Sequence, residues 1–209
     1  MNSAMFRRVL CLFSFALVAT ADDAGAEFSL TPDELNRVEQ GQIVVRTLAT
    51  DAPSAGRVLA AVAIAAPVET VWAVMVDVER APEFIPGLRR ARALERGPTH
   101  DLIEHAVKYS ALLPEFNYRY RADYRPPEQI DFRRVSGDLK ALEGSWSLRP
   151  TADGRGTLVL YAVRLDPGFL VPQWLVRRSL QKNLPAVLLA LRTRVLSLPP
   201  TPAPPIGKG

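Results

Sequence analysis

Cysteine is almost missing from this chain: Cys11 is the only one in 209 residues. It lies in an N-terminal apolar stretch expected to be removed. The mature chain then has no disulfide, no thiol nucleophile and no cysteine-based metal site. Histidine is nearly as scarce, with His100 and His105 alone. A metal site needs three or more suitable ligands, and no such spacing occurs. No metal and no cofactor is therefore expected. Gly-x-Gly-x-x-Gly and Walker patterns are missing, which excludes nucleotide binding by those devices. Ser110, Ser136, Ser145, Ser147 and Ser179 lack the strand-turn-helix context of a hydrolase nucleophile. Asp77, Glu79 and Glu83 read as a solvated helix face, not an acid/base pair.

Charge of one sign is not in excess. Lys and Arg total 26 against 22 Asp and Glu. Removing Arg7 and Arg8 with the N-terminal segment leaves 24 against 22. Nucleic-acid binding needs a clustered basic face, and the arginines here are interleaved with carboxylates, so no nucleic-acid partner is expected. A membrane-spanning run is also missing. The apolar stretch at residues 9–19 is too short to span a bilayer with ease. Preceded by Arg7-Arg8 and followed by Ala19-Thr20-Ala21 and Ala24-Gly25-Ala26, it reads as a signal peptide. The expected product is exported, periplasmic or secreted.

What remains is a chain that is 48% hydrophobic, ample for a core. Thr31-Pro32-Asp33-Glu34 forms a capping box with proline at the first helical position, and Gly41 stops the helix. A strand starts at Ile43. Residues 57–65 read as a second strand with Val58, Ala60, Val62 and Ile64 on one face. Pro67 opens a helix reaching about Val78, with Val71, Trp72, Met75 and Val76 as its stripe. A short second helix follows, closed by Pro86-Gly87. From Leu88 to Leu165 the period is two. Ile103, His105, Val107 and Tyr109 share a face, as do Tyr118, Tyr120 and Tyr124. Ile130 pairs with Phe132, Leu142 with Trp146 and Leu148, and Val159 with Tyr161, Val163 and Leu165. Turns at Gly97-Pro98, Pro126-Pro127, Gly137-Asp138 and Asp153-Gly154 separate them, as in an antiparallel meander with one buried face. A helix over 172–196 closes the pattern, with Val176, Leu180, Leu184, Val187, Leu188, Leu191 and Val195 on one side and Pro185 in its middle. The Pro-rich tail after Leu198 has the composition of a disordered segment.

One sheet must bury its apolar face, and the long helix is its cover. The expected class is α+β, a curved antiparallel sheet wrapped around a long C-terminal helix, with a short helix and strand added in front. The stretch Ile64-Ala65-Ala66-Pro67-Val68-Glu69-Thr70-Val71-Trp72 resembles the first strand and helix of the START-like, or SRPBCC, superfamily of helix-grip proteins. Glu83-Phe84-Ile85-Pro86-Gly87 resembles that family's second helix and turn, and Leu139–Trp146 its penultimate hairpin. Within the superfamily the resemblance is to the coenzyme Q-binding and polyketide cyclase/dehydrase-like branch, over residues 57–197. It implies a helix-grip domain at 57–197; the residues themselves add a signal peptide at 1–21, a helix-and-strand extension at 22–56 and a Pro-rich tail at 198–209.

An open sheet gripping a helix encloses space. The alternation of Tyr118 and Tyr120 with Arg119 and Arg121 sends the tyrosines inward, since arginine is costly to bury unpaired. Tyr118, Tyr120, Trp146, Tyr161 and His105 by strand parity, Leu184 and Leu188 by helical spacing, and Phe84 at the mouth are the candidate ligand-pocket residues. The expected partner is a hydrophobic small molecule: a lipid, quinone or polyketide-like compound. The outward arginines suit a solvated face or a transient contact with anionic lipid head groups. No catalytic set is evident. A cyclase or dehydrase using His105 and Tyr118 in the same cavity, or a structural module whose side chains fill it, stand as alternatives.

Overall fold

The computed structural model describes residues 29–50, 55–108, 114–168 and 172–199. Eight strands form one antiparallel sheet: β1 (Val44–Leu48), β2 (Gly56–Ile64), β3 (Leu88–Arg96), β4 (His100–Val107), β5 (Phe116–Arg125), β6 (Gln129–Gly137), β7 (Ala141–Pro150) and β8 (Thr157–Asp166). Their order in space is β1-β2-β8-β7-β6-β5-β4-β3. Among the described residues three α-helices accompany the sheet: α1 (Pro32–Glu39), α2 (Val68–Val76) and α3 (Gln173–Leu196). The fold is a curved open sheet gripping α3, the helix-grip architecture.

Local sequence explains the ends of these elements. Thr31 Oγ1 accepts from the Glu34 amide while the Glu34 carboxylate accepts from the Thr31 amide, a complete capping box. Gly41 takes a φ of 84° and ends α1. The helix beginning after Pro67 is shorter than its apolar spacing predicts. It stops at Val76, Asp77 leaves helical geometry at ψ 69°, and a 3₁₀ helix (Val78–Glu83) takes over around Pro82. A proline has no amide proton for the α-helical ladder, so the tighter turn suits this segment.

The inner face carries the core. Ala60, Val62 and Ile64 of β2, Val159 of β8 and Leu148 of β7 meet Val71 and Val74 of α2 and Leu188, Leu191 and Val195 of α3. Gly56 lets α3 come close, since a side chain there would meet Leu180 Cδ1 at 2.7 Å. The outer face of β2 is covered as well. Val38 of α1 packs with Val44 and Ala61, and Leu48 with Leu59 and Ala162. This explains why β2 is apolar on both faces, with Leu59 and Ala61 as deeply buried as Val58 and Ala60. The N-terminal helix and strand thus belong to the body of the domain: β1 pairs antiparallel with β2 from Val44 opposite Ala61 to Leu48 opposite Arg57.

The outward arginines are paired. Arg119 meets Glu104 at 3.1 Å, Arg121 meets Asp123 at 2.7 Å and Arg125 meets Asp131 at 2.7 Å. Such exposed pairs each contribute little, but they account for the charge alternation as a solvated outer surface. Among the described residues no helix is long and apolar enough to cross a membrane.

Candidate functional site

Toward β4, β5 and β6 the inner face changes character. Small aliphatic side chains give way to His105, Tyr118, Tyr120, Tyr124, Phe132, Trp146 and Tyr161. Large rings on a curving sheet hold α3 away from the strands. Between them and the segment Val74–Leu88 lies a cavity of about 190 Å³. A smaller one, about 110 Å³, lies under the first turns of α3. Tyr118, Leu142, Tyr161, Leu184 and Val187 line both. The two spaces are therefore adjacent lobes that share these side chains as part of their walls.

The rings form a continuous lattice. Trp146 stacks on Tyr161 with centroids 3.9 Å apart, and Tyr161 stacks on Phe132 at 5.9 Å. Phe132 meets Tyr120 edge-on at 6.3 Å. This lattice depends on Gly144. A side chain at that position would collide with the Ala162 carbonyl oxygen and come within 2.7 Å of the Phe132 ring. A glycine inside a strand marks such a close approach.

One polar group breaks the apolar lining. His105 stands between two phenols, with Nε2 3.2 Å from the Tyr120 hydroxyl and Nδ1 3.5 Å from that of Tyr118. The first is a good hydrogen bond and the second is at the limit of one. The three follow from register: His105 lies opposite Tyr118 across β4 and β5, and Tyr120 is two residues along the same face. Burial disfavours the charged imidazolium and lowers the His105 pKa to about 4, so the ring is neutral at neutral pH. At the far end Tyr124 also lines the cavity, but its hydroxyl donates to Asp101 Oδ2 at 3.0 Å. Burial and the adjacent Asp101 carboxylate raise the Tyr124 pKa, so this phenol stays protonated.

Seven of the eight residues chosen from the sequence line the larger cavity: Phe84, His105, Tyr118, Tyr120, Trp146, Tyr161 and Leu184. Leu188 does not. It is fully buried in the core between β2, β7, β8 and α2, because the helix has already settled onto small side chains at that point. Its place on the cavity wall is taken by Val187 and Leu191. Tyr124, Phe132 and Leu142 also line the space, and their inward parity was visible in the sequence. Tyr109, expected on the His105 face, lies outside the described residues. His100 begins β4 and lines neither lobe. Among the described residues no cluster of His, Cys, Asp or Glu is placed to hold a metal ion.

A curved sheet gripping a helix over an apolar cavity defines a class of small-molecule-binding folds, the START/SRPBCC superfamily. Within it, the chain belongs to the family described as polyketide cyclase / dehydrase and lipid transport, whose model matches residues 64–192. Solved structures agree on the fold. A STAR-related lipid transfer protein from Xanthomonas axonopodis is similar with a TM-score of 0.65 and 19% identity, covering 74% of this chain and 94% of that one. The Zhui aromatase/cyclase from Streptomyces sp. R1128 gives 0.60 and 20%, covering 68% and 94%. Human STARD10 gives 0.62 and 14%, covering 75% and 70%. No curated protein matches the sequence.

Proposed function

We propose that this protein is an exported carrier that holds an apolar or amphipathic molecule in the cavity between its sheet and α3. The observation that carries the proposal is the lining itself. Among the described residues, those around the larger cavity are aliphatic or aromatic, with the Met75 thioether, the neutral His105, the Trp146 indole and the tyrosine hydroxyls. An apolar guest gains by leaving water for such a lining. At about 190 Å³ the larger lobe exceeds the roughly 150 Å³ that suffices for a small aromatic guest. Tyr118, Tyr161 and Leu184, shared by both lobes, are the side chains whose rotation would admit a longer guest.

The test begins with protein purified from its own cell envelope. Mass spectrometry of the intact chain should show that residues 1–21 are gone. Extraction should release one class of apolar small molecule in stoichiometric amount. A full-length mass would remove cleavage of the signal peptide from the proposal, and a chain that never yields a guest would remove the carrier.

The contacts of His105 with Tyr118 and Tyr120 favour a second function, an aromatic cyclase or dehydrase. A neutral imidazole beside a phenol is equipped to move a proton at a bound carbonyl compound. Incubating the isolated complex separates the two. A carrier returns its guest unchanged, whereas a cyclase returns an isomer of it and a dehydrase returns it lighter by one water.

A further inference from the structure

Two sets of basic side chains have opposite surroundings. On the outer sheet face Arg119, Arg121 and Arg125 each meet a carboxylate. Helix α3 carries Arg177, Arg178, Lys182, Arg192 and Arg194, and its 24 residues include no Asp or Glu. Among the described residues none of these five cations forms an ion pair. Arg192 donates to the Gly41 carbonyl oxygen at 2.8 Å, and the Arg194 guanidinium lies 5.9 Å from the centroid of the Phe84 ring. Arg178 and Lys182 stand exposed on the outer side of the helix.

The same side of α3 exposes large apolar side chains. Trp174 is 66% exposed, Leu189 47% and Leu196 52%, three of the six large hydrophobic residues exposed among those described. At 3.6 residues per turn, Trp174, Arg178, Lys182, Leu189 and Leu196 fall within about 80° of one another. A single exposed leucine needs no explanation. Three large apolar residues on one stripe, interleaved with unpaired cations over about 33 Å of helix, form the pattern of a helix lying in the plane of a bilayer surface. We infer that the outer face of α3 docks on an anionic phospholipid bilayer. Trp174, Leu189 and Leu196 enter the head-group layer, and Arg178 and Lys182 meet lipid phosphates.

Charge and spacing select this occupant. An anionic surface attracts each nearby Lys or Arg, and nothing on α3 offsets that attraction. The sheet arginines are neutralised where they stand, so the outer sheet face offers a bilayer less. An acidic protein fits the stripe poorly. Trp174 and Leu189 are about 22 Å apart along the axis, and Leu189 and Leu196 about 10 Å. Protein partners concentrate binding in a packed cluster near the centre of the contact, which so open a row does not offer. A fluid surface takes single side chains along a line, and tryptophan favours the head-group level. The docking face does not depend on a guest. The cavity is lined by other positions of α3, among them Leu184, Val187 and Leu191.

Co-sedimentation of the mature full chain with phospholipid vesicles at low salt tests this. Vesicles of equal phosphatidylglycerol and phosphatidylcholine should bind the parent at least about tenfold more tightly than phosphatidylcholine alone, and high salt should erase the difference. Arg178→Gln with Lys182→Gln should weaken binding to the mixed vesicles by about 25-fold, since each cation near such a surface contributes roughly fivefold. Leu189→Ser with Leu196→Ser should weaken it by at least about fivefold. Tryptophan emission of the parent should shift to the blue on the mixed vesicles, and Trp174→Phe should lose that shift. Arg119→Gln with Arg121→Gln should bind like the parent. The α3 side chains changed here are exposed, so these variants should melt with the parent. Equal binding to both kinds of vesicle, or none to either, would overturn the inference. So would a loss of binding that follows Arg119 and Arg121 instead of Arg178 and Lys182. Binding to immobilised polyglutamate with none to vesicles would overturn it in favour of an acidic protein partner. A parent that ignores vesicles and elutes as a dimer, dispersed by Leu189→Ser with Leu196→Ser, would overturn it in favour of a second copy. None of these results bears on the carrier, whose guest is read by extraction.

Discussion

The two ends of the sheet face the same gripped helix and obey the same parity, yet the end at β2 is solid and the end toward β5 is hollow. Where α3 meets β2, the opposing residues are Ala60 and Val62, and Leu188 closes onto them with no exposed surface. Where α3 meets β5, β7 and β8, the opposing residues are Tyr118, Trp146 and Tyr161. These stay half-buried although they point inward. The difference lies in side-chain size against curvature. Small residues let helix and strand approach to contact, whereas large rings prop them apart and then pack against one another. Inward parity therefore does not distinguish core from binding site.

The largest effect should come from the solid end. Leu188→Asp places an unpaired charge where no water reaches, and the domain should fail to fold. The milder Leu188→Ala should cost ~2–5 kcal/mol in urea unfolding. A variant that melts like the parent would erase the distinction between the two ends.

Gly144 comes next, because it is the tight point of the hollow end. Gly144→Val would push a branched side chain against the Ala162 carbonyl and the Phe132 ring. Overpacking of this kind should cost about 1–3 kcal/mol or more, and it should disturb the ring lattice seen by near-ultraviolet circular dichroism. An unaltered spectrum with unaltered stability would contradict the stacked arrangement of Phe132, Tyr161 and Trp146.

Tyr118→Ala should be cheap by comparison. A fully packed aromatic costs ~3–5 kcal/mol on truncation. Tyr118 faces a void and is half-buried, so the loss should stay under about 2 kcal/mol while retention of the guest drops. A loss as large as that of Leu188→Ala would show that the hollow end is core after all.

The smallest effect is a pH dependence. The folded-state pKa of His105, lowered to about 4 by burial, lies below the ordinary value of 6.5. Between those values the unfolded chain binds a proton that the folded chain refuses. This group's contribution to stability is complete above pH 6.5 and is lost as pH falls toward 4. Melting temperature should fall less over that window in His105→Phe than in the parent. Parallel curves would place His105 in water.

Much of this was legible in the residues. The capping box at Thr31 and Glu34, the Pro86-Gly87 turn and the alternation of tyrosine with arginine each have a local cause, and each led to the element found. The 3₁₀ segment after Asp77 did not follow from apolar spacing alone, because Val71 to Val76 reads the same whichever turn comes next. The apolar outer face of β2 lacked an assigned cover, since Ala61 packs on Val38 of α1 and Leu59 on Leu48 of β1, both distant in the chain. Leu188 and Leu184 sit one turn apart on one stripe, and only the residue across the gap decides that one is core and the other cavity wall.

Filling the hollow end tests the central claim most directly. Val187 lines both lobes and is half-buried. Val187→Trp should occupy the space with the protein's own side chain. Native mass spectrometry of parent and variant, purified alike from the envelope, reads the outcome beside their melting temperatures. The account predicts a small molecule on the parent, none on the variant, and a variant at least as stable as the guest-free parent. A variant that carries as much guest as the parent, or one that unfolds because no space was there to fill, would contradict it.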